Sequence, residues 1–128
     1  HGRTSDQVSA TKHDSKKPRT DLLDVDFLLG LAAVLTDGAT KYGDNNWRQG
    51  MAYSRAYAAL LRHLFAFWNG YDLDHESGLP HLDHAVAELM FLRTYATHEA
   101  YKANDDRPLT AIHKKIAETQ KRVGGDDK

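Results

Sequence analysis

The chain contains no cysteine, which excludes disulfides and thiolate metal sites and suits an intracellular setting. It has no excess of charge of either sign. Lys and Arg total 17 against 18 Asp and Glu, for a formal net charge of −1, so net charge offers no reason to expect a duplex nucleic acid or a membrane as partner. Long apolar runs are missing as well. The longest, residues 27–35, falls far short of the roughly 20 residues needed to span a bilayer. The polar start gives no sign of a secretory signal peptide. No internal repeat, low-complexity tract or extended strand pattern is visible. Clustered carboxylates on facing helices are scarce: the first helical segment has none between Asp26 and Asp37, and the third offers Asp83 and Glu88 before Glu99. A site in which four carboxylates hold two metal ions is therefore poorly supported.

What is present is helical periodicity. The length of 128 residues fits one domain, and the composition divides it into a flexible polar tail (residues 1–15) and a single helical domain (residues 16–128). Phe27, Leu31 and Leu35 recur at i, i+4, i+8 beside Leu28, and Asp24 is placed to cap that helix. Its nearly all-apolar interior predicts burial on more than one side, with Gly30 permitting close helix packing. Tyr57, Leu60, Leu61, Leu64, Phe65 and Trp68 form the apolar face of a second helix, with Ser54 as its expected N-cap. Leu82, Val86, Leu89 and Tyr95 follow in a third, and Leu109, Ile112, Ile116 and Val123 form a narrow stripe on a fourth that ends at Gly124-Gly125. The spacing predicts an all-α fold, a small four-helix bundle-like domain with a C-terminal amphipathic arm. Its helices fall near 25–42, 54–69, 80–103 and 109–122. A domain this small with a detached apolar arm is expected to form a homo-oligomer, a dimer or tetramer.

The chain is organised around residues 62–84, read as the end of an aromatic-rich helix, a short acidic loop and the start of the next helix. Gly70 suits a helix C-terminus, Ser77 an N-cap and Pro80 a first turn. Antiparallel packing across so short a loop brings His63 near the loop acids and near His81 and His84. His81, His84 and Glu88 lie at i, i+3, i+7, within about 60° on one helix face. This makes Asp74, Glu76, His81, His84 and Glu88 candidate metal ligands, since imidazole suits zinc, manganese or nickel and carboxylate suits magnesium or manganese. Structural hydrogen bonding is the alternative use of the same histidines. Asp72, Asp74 and Glu76 alternate as in an EF-hand loop, but Ser77 and Asp83 stand where that loop needs Gly and Glu, which excludes calcium-hand chemistry.

Basic and aromatic side chains supply a second kind of site. Lys17 and Arg19 flank Pro18 in a stiff basic arm that could clamp phosphate or simply be solvated. Residues 41–50 form a loop by composition, in which Lys41 and Arg48 could hold phosphate and Tyr42 or Trp47 could stack on a base. A Trp47 plugged into the core is equally compatible with the sequence. Arg55 and Arg62 are spaced at seven and share a helix stripe that is either solvated or lines a pocket. Together with His63, His81 and His84, these groups are what a nucleotide pocket requires. The histidines could also orient or deprotonate a water.

Several segments carry a resemblance in common. They are Lys17-Pro18-Arg19-x-Asp21-Leu22-Leu23, Gly38-Ala39-x-Lys41-Tyr42-Gly43-Asp44-x-Asn46-Trp47, Tyr53-Ser54-Arg55, Leu61-Arg62-His63-Leu64 and Asp74-x-Glu76-Ser77-Gly78-x-Pro80-His81-x-x-His84-Ala85. In this order, over about residues 16–95, they resemble the N-terminal domain of phage dATP/dGTP diphosphohydrolases. The resemblance implies an α-helical domain distantly similar to the MazG kind of nucleotide pyrophosphohydrolase, acting on a nucleotide in the cytoplasm of an infected bacterium. The Glu-Glu-x-x-Glu and Glu-x-x-Asp helices of those hydrolases are absent, and His81-x-x-His84 stands in the corresponding third-helix stretch. Two functions are therefore open. One is a diphosphohydrolase using Mn²⁺ or Mg²⁺. The other is a non-catalytic sponge, needing no cofactor, that sequesters a nucleotide immune signal and so blocks host defence.

Overall fold

A computed structural model describes residues 9–126. The first eight residues of the expected tail lie outside the described residues, and residues 9–15 are exposed and almost wholly without regular structure. Four α-helices follow in order: α1 (Val25–Tyr42), α2 (Tyr53–Trp68), α3 (His81–Thr97) and α4 (Pro108–Asp126). Short 3-10 turns occupy Thr20–Leu22, Asn46–Gln49 and Glu99–Asn104. Among the described residues there is no strand, only an isolated antiparallel bridge between Leu73 and Pro80. The fold is all-α, as the apolar spacing predicts.

The central element is α3, which packs along α2, against α1 and on the 3-10 turn that follows it. Small residues make the close approach possible: Ala56 of α2 and Ala85 and Ala87 of α3 are all buried. At Gly30 of α1 a Cβ would lie 2.5 Å from the Asp83 carboxylate of α3, so the absent side chain there permits the α1–α3 contact. Tyr95 is fully buried. Its ring stacks with Tyr53, its carbonyl accepts the Tyr53 hydroxyl at 2.9 Å, and its own hydroxyl donates to the Trp47 carbonyl. One side chain thus ties α2, α3 and the loop after α1 together.

The helix ends show where local chemistry competes with periodicity. Asp24 caps α1 as expected, its Oδ2 accepting the Phe27 N–H at 2.9 Å. Ser54 is not an N-cap: α2 begins at Tyr53 after Ala52. The carboxylate of Asp106, far along the chain, instead accepts the Ser54 N–H at 2.9 Å and the Ser54 hydroxyl. The third helix stops at Thr97 rather than reaching 103. There the Thr97 hydroxyl donates to the Arg93 carbonyl at 2.8 Å and His98 Nδ1 to the Thr94 carbonyl at 2.9 Å. Side chains so satisfy last-turn acceptors, and the chain turns extended at His98. Finally, α4 runs through Gly124 to Asp126 instead of ending at the glycines.

Much apolar surface stays open. The expected burial of α1 on several sides is not met within one chain: Val34 is its one buried residue, while Phe27 is 52% exposed, because the extensive interface of α1 is with α3 alone. On α4 the stripe of Leu109, Ile112, Ile116 and Val123 is exposed, and the helix forms no extensive interface with α1–α3. Among the described residues no helix is long and apolar enough to cross a membrane.

Candidate functional site

Two adjoining features share the α2–α3 pair, one at the end where α2 turns into α3 and the other running along the helices towards the loop after α1. The first is built by the connecting loop, residues 69–80. Gly70, at φ 94°, lets the loop leave α2 by a Schellman turn: its N–H bonds the Phe67 carbonyl at 3.0 Å and the Tyr71 N–H reaches back to Ala66 at 3.0 Å. The far side is closed by the Asp74 N–H on the Leu79 carbonyl (2.8 Å) and the His81 N–H on the Asp72 carbonyl (2.9 Å). Asp74 sits at the fold of this loop, where its Oδ2 accepts the backbone N–H groups of Glu76 (3.2 Å) and Ser77 (3.0 Å). Burial would raise the Asp74 carboxyl, but the hydrogen bonds from Ser77 and the neighbouring His84 outweigh it and hold the group below the usual range.

Beneath the loop three histidines converge. Nδ1 of His63 and Nδ1 of His81 are 2.9 Å apart. The His63 ring stacks on His84 at 4.7 Å with an interplanar angle of 9°. His84 Nε2 lies 2.7 Å from the Ser77 hydroxyl, which also accepts the Leu79 N–H. Ser77 caps no helix, because α3 starts at His81 after Pro80; it anchors His84 to the loop. Burial lowers the pKa of both His63 and His84, and for His63 the other two imidazoles add to it. These rings are therefore neutral at pH 7, with lone pairs available. His63, Asp74 and His81 offer ligand atoms that all lie within 4.8 Å of one another. Of the metal ligands expected from sequence, Asp74 and His81 belong to this group, and His63 is the third donor. His84 is engaged with Ser77, Glu76 is exposed, and Glu88 lies further along α3.

The second feature is an open groove of about 1110 Å³ walled by α1, the loop after it, α2 and α3. Lys41 and Tyr42 line it from the end of α1, Trp47 and Arg48 from the loop, Arg55 and Arg62 from α2, and His84 and Glu88 from α3. The seven-residue spacing of the two α2 arginines does place them on one wall, and among the described residues neither forms an ion pair. Lys41 pairs with Asp37 at 3.2 Å. Trp47 packs inward, stacked on Phe91 at 4.7 Å with the Arg48 guanidinium 4.4 Å from its ring centroid, which leaves Tyr42, exposed at the rim, as the freer aromatic. The basic arm is not part of the wall. Lys17 is exposed, and the Arg19 fork is taken up bidentately by Asp21 at 2.8 and 2.7 Å. Glu88 is the one half-buried acid of α3 facing the cavity. Burial pushes its carboxyl up to about 7, against the pull of Arg62. Periodicity placed Glu88 on the histidine face but carried no sign of this desolvation.

Comparison with known proteins bears on both features. Residues 7–107 match the family described as "dATP/dGTP diphosphohydrolase, N-terminal". A "dATP/dGTP diphosphohydrolase" of Salmonella phage PMBT28 is 38% identical over 85 residues, 66% of this chain. The matched part spans only 29% of that relative's own length. No solved structure matches. The family match covers the loop after α1, the groove and the histidine cluster alike, and the chain belongs to the dATP/dGTP diphosphohydrolase N-terminal family.

Proposed function

We propose that the groove binds a purine deoxynucleoside triphosphate and that the chain is the nucleotide-handling part of a diphosphohydrolase, working in the cytoplasm of an infected bacterium. The observation that carries this reading is the convergence of Lys41, Arg48, Arg55 and Arg62 on one cavity with Glu88 in its wall. The cavity, at about 1110 Å³, is slightly larger than the roughly 300–1,000 Å³ usual for small-molecule sites, with room for a triphosphate. Arginine forks suit the triphosphate because they bind phosphate oxygens bidentately. Exposed Tyr42 is available to stack on the base. Glu88, with its carboxyl near neutrality, suits a general base. It would take a proton from water as the water oxygen bonds to the α-phosphorus and the α–β phosphoanhydride bond breaks, giving a nucleoside monophosphate and pyrophosphate. Arg62, which faces Glu88 electrostatically, would stabilise charge on the phosphates. The open apolar surface, including Phe27, Phe65 and Trp68, supports association of copies as a homo-dimer or tetramer.

The test is to incubate the chain with dATP, dGTP and cyclic nucleotides in the presence of Mn²⁺, heat-denature it and chromatograph the supernatant. Monophosphate and pyrophosphate from the two purine triphosphates, lost in Glu88→Gln, are expected. Return of intact nucleotide would mean sequestration without turnover. No retained or altered nucleotide would overturn the reading altogether.

A further inference from the structure

The diphosphohydrolase reading brings with it an expectation of Mg²⁺ or Mn²⁺, and the donors in this chain discriminate between the two. Mg²⁺ demands oxygen ligands in near-ideal octahedral geometry and is held through carboxylates, phosphates and water. The group of donors assembled here is two imidazoles and one carboxylate: His63 from α2, Asp74 from the connecting loop and His81 from the first turn of α3. Imidazole nitrogen prefers first-row transition ions.

The geometry points to a transition-metal site at His63, Asp74 and His81, one that takes Mn²⁺, Co²⁺ or Zn²⁺ in preference to Mg²⁺. Three observations carry it. Two nitrogens each about 2.1 Å from a common ion and 2.9 Å from each other subtend an angle of about 90°, that of neighbouring ligands in an octahedral shell. The three donors come from separate segments but are held in place: His81 is 91% buried, and the Asp74 loop is closed by the backbone bonds to Leu79 and from His81. All three ligand atoms lie within 4.8 Å of one another, close to the ~4.2 Å between opposite ligands of one ion, so small side-chain adjustments bring the set onto a common ion. Two imidazoles and one carboxylate leave coordination positions open. His84, stacked on His63 and lining the groove, puts those positions next to the proposed triphosphate site. Metal binding here is separate from nucleotide binding and is tested without nucleotide.

The experiment is a titration of the full chain with Co²⁺, Mn²⁺, Zn²⁺ and Mg²⁺ by calorimetry, with long-range ¹H–¹⁵N spectra of the imidazoles followed during Zn²⁺ addition. One equivalent of transition ion per chain, affinity at least tenfold above that for Mg²⁺, and first shifts at the His63 and His81 side chains are expected. Asp74→Asn should weaken Co²⁺ at least tenfold, and His113→Ala, on exposed α4, should not. Equal affinity for Mg²⁺, or first shifts at exposed His98 and His113, would overturn the assignment. The imidazole spectra use the unaltered chain, so the test holds even if a substitution at His81 prevents folding. Failure here with nucleotide still bound would leave the groove reading intact.

Discussion

Replacing Glu88 by Gln isolates one consequence of the groove's construction. Glu88 ionises near 4.5 in an unfolded chain and near 7 in the fold, because burial penalises its charge more than Arg62 relieves it. Between those pH values the folded state holds a proton that the unfolded state has lost. Stability therefore falls as pH rises from 4.5 to 7 and is level above it. At about 1.4 kcal/mol per pH unit, the interval amounts to about 3 kcal/mol, or roughly half that where solvent reaches the half-buried carboxyl. Glutamine keeps the shape and carries no charge, so the penalty disappears. Denaturant unfolding of both proteins should give near-equal stability at pH 4.5, with Glu88→Gln more stable by about 1.5–3 kcal/mol at pH 8. His63 and His84, whose pKa values are lowered, act in the opposite sense, withdrawing stability as pH falls below 6.5. They are present in both proteins and cancel in the difference. A difference that does not change with pH, or a less stable variant at pH 8, would refute the burial of a chargeable Glu88.

Three further outcomes follow from the packing. Tyr95→Phe removes one of the two donors to the Trp47 carbonyl, leaving the Gly50 N–H at 3.1 Å, and should cost about 0.5–1.5 kcal/mol, read by thermal melting, with the loop after α1 exchanging its amide protons faster. Gly50→Ala places a Cβ 2.8 Å from Asn104 at φ 92° and should destabilise by more than about 1 kcal/mol; an unchanged Tm would contradict that contact. Light scattering should give a dimer or tetramer mass, and a monomer mass at all concentrations would leave the open faces of α1 and α4 to a different partner.

The fold was legible where one residue's local chemistry decides it. Asp24 is followed by an apolar repeat and caps α1; Gly70 stands at the end of the next repeat and turns the chain out of α2. It was less legible where distant groups compete. Nothing near Ser54 reveals that Asp106 takes over the start of α2, and the early stop of α3 depends on Thr97 and His98 bonding backwards. In the site, the reversal at residues 69–80 brought the histidines together as their order suggests. Which donors meet depends on where the loop folds, and that selects Asp74 over Glu76 and adds His63. Trp47 offered two uses in sequence; its stack on Phe91 exists only once α3 lies against the loop.

The central claim is that the arginine-lined groove holds a purine deoxynucleoside triphosphate, and equilibrium binding tests it most directly. Titration of dGTP and dATP into the chain, and into the Arg62→Ala and Arg55→Ala variants, should show saturable binding by the parent. Each arginine removed should weaken it by roughly ten- to a hundredfold, the loss of about 1.5–3 kcal/mol for a charged hydrogen bond, with helix content by circular dichroism unchanged. Absence of binding by the parent, or equal affinity in chains lacking either arginine, would contradict it.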